Sequence, residues 1–390
     1  MTDYQELLSA LTTPSGARAL AGTRTIKAVH QDAYAGGVVM VTGAGGSIGA
    51  ELCHQLAQGK IRRLVLFEQN ELALYTIEQA LAEIASTKTF ELVAVLGSVR
   101  NAQLIQDTLR TNAVDTIFHA AAYKHVPMVE RNPIAGLSNN VMGTRVLAAA
   151  AKAQHVKRFV LISSDKAVRP ANVMGASKRF AEMIAQDHAS RPSKTVFSIV
   201  RFGNVLGSSG SVLPLFERQI AKGGPVTLTH DDATRYFMTT QEAAQLVLAA
   251  GGMARGGELF MLDMGPPISV QALARHMIKD AGLQVRDPDT PTGDIEIEVT
   301  GLRDGEKLHE ELSLSQTRTP TRHERILQVD EPCLSELELA ATLRALDKAI
   351  AQNDATVARD TITRWIAADR EPPCAGAQIG KASNGGVLKF

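Results

Sequence analysis

Polar side chains suited to acid–base chemistry are concentrated in one stretch of the chain. Ser164, Asp165 and Lys166 directly follow an apolar run at 158–162. Such a run predicts a buried parallel strand, and open α/β sheets bind their ligands where these strands end. A carboxylate beside an amine is suited to pairing a general acid with a general base. We therefore expect the catalytic centre at this strand end.

A methionine occupies a position where a catalytic residue is expected. Met174 lies four residues before Lys178, where a tyrosine would complete a familiar catalytic pair. A thioether is a weak hydrogen-bond acceptor and cannot transfer a proton. Proton transfer must then fall to other groups, and Lys178 remains as a cation that can lower the pKa of a neighbour.

A glycine-rich turn near position 43 predicts a dinucleotide site. An apolar strand at 38–41 precedes TGAGGSIG, and a helical pattern begins at Glu51. Strand, glycine turn and helix in this order permit a pyrophosphate to approach the amides at a helix N-terminus. The predicted contacts are Gly43, Gly46, Ser47, Ile48 and Gly49.

The ends of the next strands extend this site. Glu68 ends a strand about 20 residues after the glycines, where an acidic side chain binds the adenosine ribose. Its charge would repel a 2′-phosphate, so NAD is expected in preference to NADP. Strands at 92–96 and 116–119 lead to the remaining predicted contacts, which are Ser98, Val99, Ala120, Ala121 and Ala122.

The regular alternation of strands and helices predicts a doubly wound parallel sheet of the Rossmann type. Further helices are expected at 179–189, 240–253, 269–281, 335–351 and 357–366, and further strands at 195–200, 225–230 and 295–299.

Composition excludes several classes of function. The chain has 390 residues, with 41 Lys plus Arg and 41 Asp plus Glu, so no nucleic-acid or anionic-membrane footprint is expected. Its three cysteines have no metal-ligand spacing, and no metal site is predicted. No run approaches the ~20 apolar residues of a membrane span. The absence of a signal peptide leads us to expect a cytoplasmic protein.

Seven motifs occur in the order seen in one enzyme family. They are TGAGGSIG, FHAAAYKHVP, NNVMGT, SSDKAVRPANVMGASK, RFGNVLGSSGSVLPLF, TRYFMT and GLRDGEKLHEEL. Over residues 37–312 the chain resembles the bacterial nucleotide-sugar 4,6-dehydratases of polysaccharide biosynthesis, typified by UDP-N-acetylglucosamine 4,6-dehydratases. These are extended short-chain dehydrogenase/reductases, and Met174 resembles a subtype that has methionine there.

The resemblance implies a reaction and its residues. C4 of the hexose is oxidised by NAD, the C5 proton and the C6 hydroxyl are lost, and hydride returns at C6. NAD is therefore regenerated and should be tightly held. Asp165 and Lys166 match the acid and base positions, in either order, and Lys178 matches the lysine that binds the nicotinamide ribose. Ser164 matches the hydroxyl that touches the C4 oxygen, and the C4 hydroxyl proton passes to Ser164, Asp165 or an ordered water.

Residues on the substrate side follow from the same resemblance and from side-chain chemistry. Arg235 and Arg303 are the expected diphosphate ligands, because a guanidinium pairs bidentately with phosphate oxygens. Asp304 stands where many relatives have proline, which weakens the assignment of Arg303. The other predicted substrate contacts are Lys124, His125, Asn172, Asn204, Ser211 and Glu306.

The predicted organisation has five parts. They are an N-terminal extension (1–36), an NAD-binding domain (37–205, with elements from about 235–265), a smaller α/β substrate-binding subdomain (206–312), a C-terminal helical cap (313–371) and a disordered tail (372–390). A homo-oligomer, a dimer or larger, is expected by resemblance.

The alternatives are a GDP-linked N-acetylglucosamine as substrate, a 4- or 5-epimerase of the same fold, and a non-catalytic NAD-binding sensor. The Asp165–Lys166 pair argues against a 4-epimerase, which needs no acid or base at C5 and C6.

Overall fold

Apolar runs in the sequence form the strands of the computed structural model, which describes residues 32–88, 90–208, 210–314 and 317–368. In the described ranges the strands are β1 (Val38–Thr42), β2 (Arg63–Glu68), β3 (Glu91–Leu96), β4 (Thr116–His119), β5 (Arg158–Ile162), β6 (Val196–Arg201), β7 (Asn204–Leu206), β8 (Val226–Leu228), β9 (Thr234–Arg235), β10 (Phe237–Thr239), β11 (Leu259–Leu262), β12 (Ile268–Ser269), β13 (Val285–Arg286), β14 (Ile295–Val299), β15 (Arg318–Pro320) and β16 (Ile326–Val329).

The helices alternate with these strands through the first two thirds of the chain. They are α1 (Ser47–Ala57), α2 (Glu71–Lys88), α3 (Ala102–Asn112), α4 (Val126–Arg131), α5 (Pro133–Leu137), α6 (Gly143–Ala153), α7 (Val173–Ser190), α8 (Val212–Ala221), α9 (Thr240–Met253), α10 (Val270–Asp280), α11 (Glu336–Ala351) and α12 (Ala355–Ala368). A π-helical turn, Ser138–Met142, joins α5 to α6.

A large, mostly parallel sheet lies at the centre of the chain. Its order is β15-β16-β11-β6-β5-β4-β1-β2-β3, and the run from β11 to β3 is parallel throughout. Every residue of β1 is buried, as expected for a parallel strand covered on both faces. The strand order reverses between β1 and β4, where doubly wound folds open a ligand crevice. The predicted α/β fold is confirmed.

Two C-terminal strands correct the prediction that 313–371 is a helical cap. β16 pairs antiparallel with β11, and β15 pairs antiparallel with β16. This part of the chain therefore extends the central sheet before α11 and α12 begin. The sequence did not predict β15 because the segment before position 326 is polar and basic. An exposed edge strand of this kind has no apolar run.

The end of the predicted N-terminal extension belongs to the core. Tyr34 is buried, its hydroxyl donates to the carbonyl of Leu248 at 2.8 Å, and its ring packs edge-on against Phe118. The extension that the sequence suggested therefore ends before residue 34. Residues 1–31 and the predicted tail, 372–390, lie outside the described residues.

The helix that carries Lys178 is longer than predicted. α7 begins at Val173 instead of Arg179, because the Asn172 side chain caps it by accepting a hydrogen bond from the Gly175 amide at 2.7 Å. Met174 and Lys178 therefore lie one turn apart on the same helix face. Elsewhere the predictions were closer: α9 spans the predicted 240–253.

A second hydrophobic cluster lies within the predicted substrate-binding subdomain. The parallel sheet β13-β14-β8 packs with α8 and α10 around Phe216, Ile220, Val226, Leu228, Ala274, Ile278 and Ile295. The domain boundaries themselves remain a prediction.

A buried network of ions ties α7 to the sheet and to the C-terminal strands. Arg201 donates to Glu182 at 2.7 Å and to Glu331 at 2.5 Å, and all three side chains are fully buried. Arg179 joins Glu182 at 3.0 Å, and Ser163 donates to Glu182 at 2.5 Å. The residue before Ser164 is thus anchored to the core.

Within the ranges described, no helix combines the length and apolar character required to cross a bilayer.

Candidate active site

The glycine turn after β1 is shaped by close backbone contacts. Gly43 has φ +67°, and a Cβ there would lie 2.8 Å from the Ala121 backbone. A Cβ on Gly49 would lie 2.0 Å from the Gly43 carbonyl oxygen. Both positions therefore require glycine for the turn itself.

Gly46 is less constrained, because its backbone angles suit any residue and a Cβ there would make a tight contact without overlap. It is the N-cap of α1 with φ −75°, and a Cβ there would meet its nearest neighbour at 3.3 Å. Gly46 has no side chain with which to cap the helix, and Ser47 and Ile48 are the first residues of α1, at a helix N-terminus of the kind that binds anions.

Glu68 lies beside this turn at the end of β2. Its carboxylate accepts hydrogen bonds from the amides of Gly45 (3.1 Å), Gln69 (2.9 Å) and Asn70 (3.0 Å). Glu68 therefore stabilises the turn, and it also lies where the ribose of a cofactor is expected.

The remaining predicted cofactor residues line the same edge of the sheet. Ala120 donates from its amide to the Thr42 carbonyl at 3.1 Å, and Ala121 packs on Gly43. Ala122 continues this loop, half-buried. Val99 is buried against Gly143 at the start of α6, and the Ser98 hydroxyl accepts from the Arg100 amide at 3.3 Å. A helix N-terminus that begins at a glycine, a close glycine turn and small residues at adjacent strand ends fit a dinucleotide.

Ser164, Asp165 and Lys166 form a connected group where β5 ends. Lys166 Nζ lies 3.0 Å from Asp165 Oδ1, which also accepts from Ser164 Oγ at 2.9 Å. Asp165 is fully buried, and within the described part of the chain its Oδ2 has no hydrogen-bond partner. A buried polar atom without a partner is uncommon and calls for an explanation, of which a catalytic role is one.

Asn204 joins this group directly. Its Oδ1 accepts a hydrogen bond from Lys166 Nζ at 3.1 Å. The sequence predicted Asn204 as a substrate contact; in the folded chain it contacts Lys166 of the expected acid–base pair.

Glu310 is a member of the group that sequence reasoning missed. Its Oε1 lies 3.7 Å from Lys166 Nζ, and its side chain is only 5% exposed. The GLRDGEKLHEEL motif contained the signal, but the prediction selected Glu306 from that motif. Only the fold brings Glu310 to Lys166, since 144 positions separate them in the sequence.

Met174 and Lys178 are both buried on α7. Lys178 Nζ donates to the Ile162 carbonyl at 2.5 Å, at the end of β5. Burial lowers the pKa of Lys178 to about 8, against the opposing influence of Glu182. The Lys178 ammonium therefore loses its proton at a lower pH than an exposed lysine does.

A second, unpredicted polar residue holds α7 against the loop after β4. Asn140, in the π-helical turn, donates to Ser177 Oγ at 2.8 Å and exchanges hydrogen bonds with the Tyr123 backbone at 2.8 and 2.9 Å. The loop that continues to Lys124 and His125 is thereby fixed relative to the helix of Lys178.

His125, which follows Lys124, faces the loop after β7. Burial lowers the pKa of Lys124, and burial followed by the Lys124 charge lowers the pKa of His125. The His125 ring packs on Gly210, where a Cβ would lie 2.4 Å from it. Ser211 is the N-cap residue of α8, and its buried hydroxyl has no hydrogen-bond partner among the described residues.

The other predicted substrate residues have protein partners. Asn172 caps α7 and donates to the Gly305 carbonyl at 2.8 Å. Arg235 donates to three backbone carbonyls, those of Thr234, Lys307 and Leu308, at 2.7–2.9 Å.

Arg303 and Glu306 lie together in an exposed turn. Their side chains approach to 3.9 Å, and the Arg303 side chain is 57% exposed. Among the described residues, the polar side-chain contacts of Arg303 and Glu306 are with each other, so the fold does not join them to Lys166 in the way that it joins Asn204.

Three known proteins illustrate what the chain is similar to. Over 274 residues it is 48% identical to the capsular polysaccharide biosynthesis protein CapD of Staphylococcus aureus, covering 70% of this chain and 44% of CapD. It is 32% identical to the UDP-glucose 4-epimerase of Rickettsia prowazekii, covering 71% and 78%. The chain spans less than half the length of the capsular relative.

Among solved structures, the chain resembles the dTDP-glucose 4,6-dehydratase DesIV of Streptomyces venezuelae, solved with NAD bound. The TM-score is 0.60 at 22% identity, over 71% of this chain and 88% of DesIV. At this identity the likeness establishes the fold. The model of the polysaccharide biosynthesis protein family matches residues 39–331. That match spans both the glycine turn and the Lys166 group, and the chain belongs to this family.

Proposed function

We propose that this chain catalyses the NAD-dependent 4,6-dehydration of a nucleotide-linked N-acetylhexosamine, with UDP-N-acetylglucosamine as the expected substrate. One observation carries the proposal: the buried carboxylate of Asp165 pairs with the half-buried amine of Lys166 at the same sheet edge as the glycine turn. Removal of the C5 proton and the C6 hydroxyl needs one base and one acid, and this pair supplies both.

The chain's own residues have distinct tasks in this proposal. Asp165 and Lys166 exchange protons with C5 and the C6 oxygen, and Ser164 contacts the C4 oxygen. Gly43, Gly46, Gly49 and Glu68 would hold NAD, which supplies reversible oxidation of C4 when bound. Lys178 would bind the nicotinamide ribose. Met174 takes no part in proton transfer, since its thioether carries no labile proton.

The substrate's diphosphate is assigned to Arg235 and Arg303, and its sugar and base to the loops of Lys124, His125 and Ser211. Arg235 is the better supported of the two arginines. Its charge opposes the rise in the pKa values of Lys166 and Glu310, so it lies close to the expected catalytic centre.

An epimerase is the second candidate. The Rickettsia relative is named a UDP-glucose 4-epimerase and is 32% identical to this chain. A 4-epimerase inverts C4 and leaves C5 and C6 untouched, so it has no use for the Asp165–Lys166 pair. Product analysis separates the two activities.

The test is incubation of the NAD-loaded protein with UDP- or GDP-N-acetylglucosamine in deuterated water, followed by NMR. We expect a 4-keto-6-deoxy product with deuterium at C5 from one of the two nucleotide sugars. Asp165→Asn and Lys166→Met should each lower the rate at least ~100-fold, whereas Lys222→Met, on an exposed lysine, should not.

Two results would contradict the proposal. Interconversion of C4 epimers without loss of the C6 hydroxyl would identify an epimerase. Binding of NAD and nucleotide sugar with no turnover would identify a sensor.

A further inference from the structure

The first turn of α7 is held by a residue from another helix. Glu130, near the end of α4, accepts a hydrogen bond from the Val173 amide through Oε1 at 2.5 Å. Val173 is the first residue of α7, and its amide is one of those that a helix leaves without an intrahelical partner. The helix macrodipole also favours a carboxylate at this end. Glu130 therefore supplements Asn172, which caps the Gly175 amide.

The carboxylate of Glu130 is held in turn by α12. Its Oε2 pairs with Arg359, and the same guanidinium donates to the Glu130 carbonyl at 2.6 Å. The Glu130 side chain is 17% exposed and the Arg359 side chain 41%. An ion pair at this exposure contributes little to stability. Two donations from one planar guanidinium nevertheless fix the orientation of the glutamate.

Packing around α7 is close along most of its length but incomplete at its start. Each residue from 173 to 185 is buried, and α12 packs against this helix. A pocket of about 320 Å³ opens beside Glu130 and Arg359, and its walls include Val173 and Ile362. Side chains that border a pocket make fewer packing contacts on that side. The polar link from Arg359 through Glu130 therefore has more influence on the first turn of α7 than packing has.

We propose that Arg359 is a positioning residue that acts through Glu130. It fixes the carboxylate that holds the first turn of α7, and thereby the placement of Met174 and Lys178. Arg359 lies beyond residue 331, where the family match ends, so the C-terminal helices add this support to the site. The way in which α7 is held does not depend on the reaction, whereas an effect on turnover rests on the proposed function.

Hydrogen exchange, read by mass spectrometry, tests the link without any turnover. Glu130→Ala removes the acceptor of the Val173 amide and should speed exchange at the first turn of α7 about fivefold, the effect of losing one capping interaction. Arg359→Met should speed exchange at the same turn, because the glutamate is no longer oriented. In the Glu130→Ala background, Arg359→Met should have no further effect, since Arg359 acts through the glutamate.

Arg364 provides the matched control. It is exposed and lies five residues further along α12, so Arg364→Met makes the same substitution on the same helix. This variant should leave exchange at the start of α7 at the wild-type rate. Wild-type exchange in Arg359→Met would overturn the proposal. So would an undiminished effect of Arg359→Met in the Glu130→Ala background, which would show that Arg359 acts through the packing of α12 instead.

Kinetics then show whether the link matters to the site. In the proposed dehydration, Arg359→Met should lower kcat about tenfold with a smaller change in KM, because displacing α7 misplaces the groups that it carries. Arg364→Met should keep the wild-type kcat. Full kcat in Arg359→Met would make the link purely structural and overturn the positioning role. If the chain dehydrates no nucleotide sugar, the proposed function fails, while the exchange measurements still decide whether Arg359 acts through Glu130.

Discussion

Single residues at the β5 edge have their chemistry set by burial. Lys178 has an ammonium that is almost fully enclosed, with one carbonyl at 2.5 Å as its hydrogen-bond partner. Its pKa therefore falls from 10.5 to about 8. Met174, one turn away, leaves the lysine without the hydroxyl that would ordinarily share its proton chemistry.

Replacing Lys178 should reveal the cost of this burial. Below pH 8 the lysine is charged in both the folded and the unfolded state, and the folded state is destabilised by the full desolvation penalty of the buried charge. As pH rises from about 8 to 10.5, only the unfolded state keeps the proton, so wild-type stability increases with pH. Lys178→Met should therefore raise the free energy of unfolding by about 3 kcal/mol at pH 7 and by much less at pH 10.

Urea unfolding of the cofactor-free protein at the two pH values makes this measurement. Lys222→Met, at an exposed position, serves as the control and should show no such pH dependence. An equal gain at pH 7 and pH 10 for Lys178→Met would refute the explanation by a buried charge.

At the scale of elements, the unit of β1, the glycine turn and α1 uses glycine for two different reasons. Some glycines are needed for the close backbone contacts of the turn, and another leaves space for a ligand. Gly43 and Gly49 are required by the turn itself, because a Cβ at either position would lie 2.8 Å or less from a backbone atom. Gly46 has ordinary backbone angles and more room. If the turn binds a pyrophosphate, the absence of a side chain at Gly46 allows the ligand to approach the backbone.

Paired alanine substitutions should distinguish these demands. Gly49→Ala should lower the free energy of unfolding by about 3 kcal/mol, because its methyl group would overlap the Gly43 carbonyl. Gly46→Ala should change stability by about 1 kcal/mol or less and weaken NAD binding about tenfold. Calorimetric titration with NAD, combined with urea unfolding, measures both; unaltered NAD affinity in Gly46→Ala would argue against a cofactor at this turn.

For the whole molecule, the buried ion network joins parts of the chain that are distant in sequence. Glu331, just after β16, neutralises Arg201 on β6, which in turn contacts Glu182 on α7. The C-terminal strands are therefore coupled to the helix of Met174 and Lys178, and the family match extends to Glu331 itself.

Removing one charge from this network should be costly. Glu331→Gln leaves Arg201 buried with one fewer counterion, and we expect a loss of about 3 kcal/mol of unfolding free energy. Asp347→Asn breaks an exposed ion pair with Arg145 and should cost less than about 1 kcal/mol. Similar losses in the two variants, measured by urea unfolding, would show that the buried network contributes no more than a surface pair.

The sequence by itself determined the fold class and the strand ends at which the polar residues gather. Continuous apolar runs and glycine spacing are local signals, and they placed β1, β2, β4 and β5 correctly. They also placed Ser164, Asp165 and Lys166 together, because these residues are adjacent in the chain.

Only the tertiary structure decided which distant groups complete the site. Glu310 reaches Lys166, and Glu331 reaches Arg201, across more than a hundred positions. The sequence also did not predict β15 or the start of α7. An exposed strand has no apolar run, and the cap of a helix is defined by its contacts. Periodicity records which residues are buried, whereas long-range ion pairing depends on how the chain folds back on itself.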